Sequence, residues 1–259
     1  MRMMKKVLGT VTVLALSVSL LAGCGSTAAS PVSSAASTAA ESTTSSVVSE
    51  TTSAAADENV AAAAQLLNDL TGSYQELWPV ILADEYKQTW LDVCTALVGE
   101  DNAEAAFEKL SSMVTGDVYG EDAVEAYANG GGAYFCGFTN SLATLTFDGE
   151  TSTISGTDKD GNVLFSHTYH YIGMEPVHGL YEFESDDADS GEFTYFFLAP
   201  DTSAETYHIE FRYGSDAEAL SQYDAGEYAY WVASGISTDC DQTMIDNCIE
   251  LFCTENLAG

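Results

Sequence analysis

Apolar residues in the first part of the chain beyond residue 58 recur at the three- and four-residue spacing of amphipathic helices. The pattern is present in VAAAAQLLNDL, DEYKQTWLDVCTALVG and AEAAFEKLSSMV. Gly72 follows the first of these segments, and Pro79 interrupts the segment SYQELWPVIL. We therefore predict that the first third of the folded region is helical.

The period of the pattern changes after the GGG at 130–132. Short aromatic and β-branched runs follow, separated by turns such as TDKDGN and DDADSGE; the runs are AYFCGF, LATLTFD, NVLFSHTYHYIG, GLYEFES, EFTYFFL and TYHIEFRYG. Consecutive short strands without intervening helices predict antiparallel pairing in a small barrel of six or seven strands. Ser215 and Glu218 predict a capping box that starts a helix after the last strand, and DQTMIDNCIELF predicts a final helix.

The start of the chain has the pattern of an export signal. A basic stretch, MRMMKK, precedes an apolar run that ends in LAGC. This segment resembles a bacterial lipoprotein signal, which implies a signal peptide at 1–23 and a lipid anchor on Cys24 that holds the protein at an extracytoplasmic membrane surface. An ordinary cleaved signal is the alternative.

Residues 24–57 are rich in Ser, Thr and Ala and contain no aromatic residue, so they cannot bury enough apolar surface to offset the entropy of ordering. We predict a disordered tether here, with a glycosylated stalk as the alternative. The remaining residues, 58–259, are enough for one domain with a sizeable core.

The charge of the chain excludes one class of partner. Without the first 23 residues, four basic residues stand against 40 acidic ones. This balance repels nucleic acid and anionic lipid, and we expect no nucleic-acid partner. Because no nucleophile motif such as G-x-S-x-G and no phosphate-binding glycine loop is present, we expect a binding protein and no enzyme.

Two further patterns leave alternatives open. The cysteines beyond Cys24 number five, so a disulfide scheme must leave one unpaired or join two chains; they are Cys94, Cys136, Cys240, Cys248 and Cys253. TDKDGN would need carboxylates at Gly156 and His167 to bind calcium, so we interpret it as a hairpin turn.

The histidines are the candidate metal ligands. In the strand TYHIEFRYG, His208 and Glu210 project from one face, and imidazole with carboxylate suits zinc. Arg212 shares that face, so a hydrogen-bonded histidine beside a solvent-exposed Glu210–Arg212 ion pair is the alternative. His167 and His170 lie three apart on a strand and face opposite sides, so at most one of them can join such a site.

Several segments, in order, resemble the ZinT (YodA-type) zinc-binding proteins over residues 66 to 255. They include GSYQELWPVILADEYKQ, FSHTYHYIG, HIEFRYGSDAEAL and YAYWVASG. The resemblance implies an α+β, mainly β fold, a calycin or lipocalin-like antiparallel barrel with flanking N- and C-terminal helices.

The resemblance also implies a zinc site of three histidines, and this chain departs from it. The family's positions fall on Ala199, His208 and Glu210, so one histidine is kept, one is carboxylate and one is lost. His170 and His178 are the available imidazoles to replace the lost ligand. Arg212 would oppose a cation at this place.

The sequence thus predicts a membrane-anchored protein that binds zinc at the mouth of a barrel, for capture or for delivery to a metal-uptake transporter. The alternative is a barrel without metal that binds a small apolar ligand or a partner protein through its Tyr- and Phe-rich surface.

Replacing Cys24 with Ala is expected to release the mature protein from the membrane, because the residue would carry the lipid. Cell fractionation of the wild type and the variant checks this. Continued tight membrane association of the variant would contradict the lipid anchor.

Overall fold

The structure, a computed structural model, describes residues 47–199 and 208–257, with side chains from residue 58 onward. One compact unit runs from Glu58 to Gly259. The predicted signal peptide, Cys24 and residues 25–46 of the predicted tether lie outside the described residues. Among the helices of the described part, none is long and apolar enough to cross a membrane.

The first half of the described chain is helical, and a long helix closes its C-terminal end. The helices are α1 (Val47–Asp69), α2 (Leu77–Ile81), α3 (Lys87–Val98), α4 (Glu100–Met113), α5 (Glu121–Ala128), α6 (Ala217–Leu220) and α7 (Gln242–Leu257). The first helix starts at Val47, within the range assigned to the tether by composition.

Eight strands form a closed antiparallel barrel in which each strand pairs with its neighbours in the sequence and β1 pairs with β8. They are β1 (Gly72–Glu76), β2 (Thr144–Asp148), β3 (Thr153–Thr157), β4 (Val163–Met174), β5 (Tyr181–Ser185), β6 (Tyr195–Leu198), β7 (His208–Gly214) and β8 (Ala233–Ser237). This up-and-down closure is the lipocalin architecture. The predicted fold class is confirmed.

Three strands of the barrel were not predicted. The residues of β1 were assigned to a helix, although Tyr74 packs edge-on against Phe147 inside the barrel and donates its hydroxyl hydrogen to the carbonyl of Leu70. The short strands β3 and β8 were also missed. Conversely, AYFCGF is not a strand, since Phe135 makes only isolated bridges, to Thr115 and Trp231.

The helix after β7 begins differently from the prediction. Its N-cap is Asp216, whose carboxylate accepts hydrogen bonds from the backbone N–H groups of Glu218 and Ala219 at 2.9 and 3.0 Å. The predicted capping box on Ser215 is therefore wrong, because a carboxylate at the next position makes the same contacts. This helix precedes one more strand, β8.

The barrel interior is filled by aromatic side chains. Phe196 lies between Tyr169, Phe211 and Tyr213 at ring-centroid distances of 5.4 to 6.4 Å. All four rings are at most 2 % exposed. The interior is thus a packed core.

A second core lies outside the barrel wall, between it and the helices. It contains Trp78 and Ile81 of α2, Trp90 of α3, Ile249 of α7 and the outward-facing Ile236 of β8. The indole N–H of Trp90 donates to the carbonyl of Ile81 at 2.7 Å. The helices therefore cover one sector of the wall, the sector that includes β8.

Arg212 of β7 is fully buried. Its guanidinium donates to the backbone carbonyls of Leu220, Gln222 and Tyr228, and it lies over the ring of Tyr223 at 4.2 Å. Since a buried charge is tolerated only when it is hydrogen-bonded, these contacts hold the connection between β7 and β8 against the barrel.

Arg212→Met is expected to lower the free energy of unfolding by about 3 kcal/mol or more, because the carbonyls around the guanidinium lose their donors. Lys87→Met is the matched control: Lys87 is half-exposed and pairs with Glu104 at 3.0 Å, so its loss should cost less than about 1 kcal/mol. Urea unfolding measures both. Equal effects of the two substitutions would contradict a structural role of Arg212.

Candidate functional site

Strand β7 divides its side chains between the two cores. Ile209, Phe211 and Tyr213 belong to the aromatic core inside the barrel. By the two-residue period of a strand, His208 and Glu210 point outward, toward the helices. The sequence predicted the shared face correctly, but the structure places this face outside the barrel wall and not at the mouth of the barrel.

His208 and Glu210 line a small cavity of about 30 Å³ between β7 and the helices α2 and α7. Cys248 and Glu255 of α7 complete its polar lining, and the remaining walls are apolar. Both strand residues are partly buried, whereas Glu255 is exposed at the rim. The cavity is large enough to hold a water-sized species.

Glu255 and Cys248 were not predicted as site residues from the sequence. The two are seven positions apart on α7, so they share a helix face with Phe252. The sequence shows that spacing. It does not show which strand this helix face covers, because that depends on the packing of α7 across the barrel wall.

The donor set at the cavity is one imidazole, two carboxylates and one thiol. Burial raises the pKa of Cys248 to about 12, so this thiol is protonated at neutral pH. Imidazole nitrogen and carboxylate oxygen are ligands that zinc accepts. Among the described residues, however, no three His, Cys, Asp or Glu side chains form a ready-made metal-ion cluster.

His170 lies elsewhere in the barrel, on β4. Its Nδ1 is 2.7 Å from Asp186 Oδ1, and its Nε2 is 3.9 Å from Glu184 Oε2. On the opposite face of the strand, His167 Nδ1 is 2.8 Å from Asp187 Oδ2. The two histidines therefore hold consecutive aspartates of the β5–β6 loop from both faces of β4, and neither lines the cavity at β7.

His178 also lies away from that cavity, in the loop between β4 and β5. Its ring packs on Tyr223 at 3.9 Å, and its Nδ1 is 3.7 Å from Oε2 of the fully buried Glu175. The Glu175 carboxylate accepts the backbone N–H groups of Val177 and His178. Of the four predicted metal ligands, the structure thus brings together His208 and Glu210 only.

The alternative prediction, a solvent-exposed ion pair between Glu210 and Arg212, is wrong because Arg212 is buried. Arg212 has no exposed surface, and its guanidinium is hydrogen-bonded to three backbone carbonyls. The outer face of β7 is fully covered at Arg212 and partly covered at His208 and Glu210.

Ala199, the residue at the position of the lost histidine, follows β6. The backbone N–H of Ala199 donates to the carbonyl of Glu210 at 3.0 Å. The next residues, 200–207, which include Asp201 and Glu205, lie outside the described residues. Cys24, the predicted lipid attachment residue, lies outside them as well.

No family model matches this chain, and the search of curated proteins finds no match. Among solved structures, the Zn(II)-bound ZinT-like domain of Streptococcus pneumoniae AdcA is similar with a TM-score of 0.45 and 16% identity, over 71% of this chain and 89% of that chain. Zn(II)-bound AdcA from the same organism is similar with a TM-score of 0.42 and 15% identity, over 72% of this chain and 35% of that one. The ZinT resemblance of the sequence recurs as a distant structural match.

The contacts of His178 predict a pH-dependent contribution to stability. Burial lowers the pKa of His178, the Glu175 carboxylate raises it and Arg212 lowers it, with a net decrease. The unfolded chain, with an imidazole pKa of about 6.5, therefore takes up the proton more readily, so stability is lost as the pH falls below that value. In urea unfolding at pH 7.5 and 5.5, the wild type should lose more stability than His178→Gln, and an equal loss in both would contradict this environment.

Proposed function

We propose that this protein binds a divalent metal ion, zinc, as its cargo, in the cavity lined by His208, Glu210 and Glu255. The observation that carries the proposal is that one imidazole and two carboxylates, from a strand and a helix that are distant in sequence, line the same cavity of about 30 Å³. Three protein ligands with a water in the fourth position are typical of open zinc sites.

The chemistry of the donors supports zinc over harder cations. Calcium requires six to eight oxygen ligands, and a cavity that holds one water-sized species beside two carboxylates does not supply them. An imidazole among the donors favours zinc. Binding involves closure of the side chains on the ion, since the described residues hold no preassembled three-ligand cluster.

The sequence at the start of the chain supports an extracytoplasmic location for this function. The lipoprotein-like signal and the Ser/Thr/Ala-rich segment before Glu58 are consistent with a domain that is held at an extracytoplasmic membrane surface. There it would capture zinc or deliver it to a metal-uptake transporter, as a binding protein without enzymatic turnover.

A second candidate function is the binding of a small apolar ligand. A separate cavity of about 340 Å³ lies beside α2, lined by Trp78, Pro79, Leu82, Val114 and Phe135 among others. Its volume is in the range of small-molecule sites. Thermal unfolding with and without a chelator distinguishes the two, because only a bound metal ion stabilises the native state in a chelator-sensitive way.

His208→Ala is expected to weaken zinc binding by more than about 100-fold, the upper end of the loss for residues that merely orient a metal ligand. Glu255→Gln should weaken it as well, because an amide replaces the charged donor, whereas Glu250→Gln, at an exposed position of the same helix, should not. Calorimetric titration near neutral pH measures each affinity.

The controls separate the proposed ligands from the other histidines. His170→Ala and His178→Ala should bind zinc as the wild type does, since both residues lie outside the cavity. Absence of saturable zinc binding to the wild type at micromolar concentrations, or full binding by His208→Ala, would refute the metal site.

A further inference from the structure

Two cysteines that are far apart in the sequence meet in the outer core. Cys94 of α3 and Cys253 of α7 are both fully buried, and their Sγ atoms lie 4.0 Å apart. The spacing of the cysteines in the sequence gave no pairing. The contact arises because α3 and α7 pack side by side over the barrel wall.

The surroundings of this pair are apolar and closely packed. Trp90, one helical turn before Cys94, lies edge-on to Phe252, the neighbour of Cys253, at 6.0 Å. Thr89 Oγ1 and Asp246 Oδ1 make a 3.5 Å hydrogen bond between the same two helices. These two contacts, which precede the cysteines in both helices, therefore hold α3 and α7 side by side near the sulfurs.

From this geometry we infer that Cys94 and Cys253 form an interhelical disulfide in the mature protein. The sulfurs need to approach by about 2 Å to reach bonding distance, a movement that side-chain rotation and a small helix shift provide. Both S–H bonds break and one S–S bond forms. The two electrons and two protons pass to a small or protein disulfide, which leaves as two thiols.

The reactivity of the two thiols indicates when the bond forms. Both side chains have no exposed surface, so external reagents do not reach either sulfur in the folded protein. Because thiol–disulfide exchange requires direct attack at sulfur, the folded pair reacts slowly with such reagents. The bond therefore forms while the chain folds and is afterwards protected from reduction.

The position of the bond also connects it to the cavity at β7. Cys253 lies on α7 between Cys248 and Glu255, which both line that cavity. A covalent link at Cys253 fixes the distance of α7 from α3. The inference itself depends on the two sulfur atoms and not on metal binding.

The test uses the full-length chain with Cys24→Ser, so that the five other cysteines remain. The protein is unfolded with reductant, refolded with or without glutathione and glutathione disulfide, denatured, alkylated with iodoacetamide and analysed by peptide mass mapping. After oxidative refolding, Cys94 and Cys253 should be found in one linked peptide pair. The melting temperature of the oxidised form should exceed that of the reduced form by about 5 to 10 °C.

Two variants serve as controls. Cys94→Ser with Cys253→Ser should abolish the difference in melting temperature between oxidised and reduced protein, whereas Cys136→Ser, at another buried cysteine, should retain it. The comparison of the two wild-type forms needs no variant to fold. Five alkylated thiols after oxidative refolding, a link between other cysteines, or identical melting temperatures would overturn the inference.

Discussion

The buried guanidinium of Arg212 is the constraint that organises this side of the barrel. A charged guanidinium without contact to water needs hydrogen-bond acceptors within the protein. Here the acceptors are backbone carbonyls of residues 220–228. Their convergence on one point folds the β7–β8 connection back over the strand. As a result, β8 enters the sheet at Ala233, opposite Phe211, and closes the barrel.

The two-residue period of β7 then divides its side chains between the interior of the barrel and the space under the helices. Its inward residues complete an aromatic core in which Phe196, Phe211 and Tyr213 have no exposed surface. Two of its outward residues, His208 and Glu210, lie beneath α2 and α7 and line the same cavity as Glu255. The donors of the proposed site therefore lie between the wall and the helices, and the interior of the barrel contains a packed aromatic core.

The sequence predicted the fold class and the terminal helices, because the buried face of long helices such as α3, α4 and α7 is visible as a local period of apolar residues. It failed at β1, where Tyr74 is the one buried residue of a five-residue strand, too few for a period to show. Of the candidate site, the shared face of His208 and Glu210 follows from strand geometry alone. The contribution of Glu255 depends on how α7 crosses the wall, and no local pattern contains that information.

The histidine–aspartate contacts on β4 could not be predicted from the sequence for a similar reason. Opposite faces of a strand were correctly assigned to His167 and His170, yet both find partners in the same loop. The Asp186 N–H donates to the carbonyl of Thr168 at 2.8 Å, so the chain after β5 continues beside β4, and consecutive aspartates reach its two sides. Such an arrangement is a property of the connection and not of either segment.

The filled interior of the barrel has a consequence for rates. With aromatic rings packed from wall to wall, the described interior offers no route through the barrel, so exchange with the cavity takes place on the helix side of the wall, where Glu255 is exposed. Access to that side does not require the aromatic core to open, and local events at a protein surface cost less free energy than global unfolding. The rate of exchange at the cavity and the lifetime of the folded barrel are therefore set by different parts of the molecule.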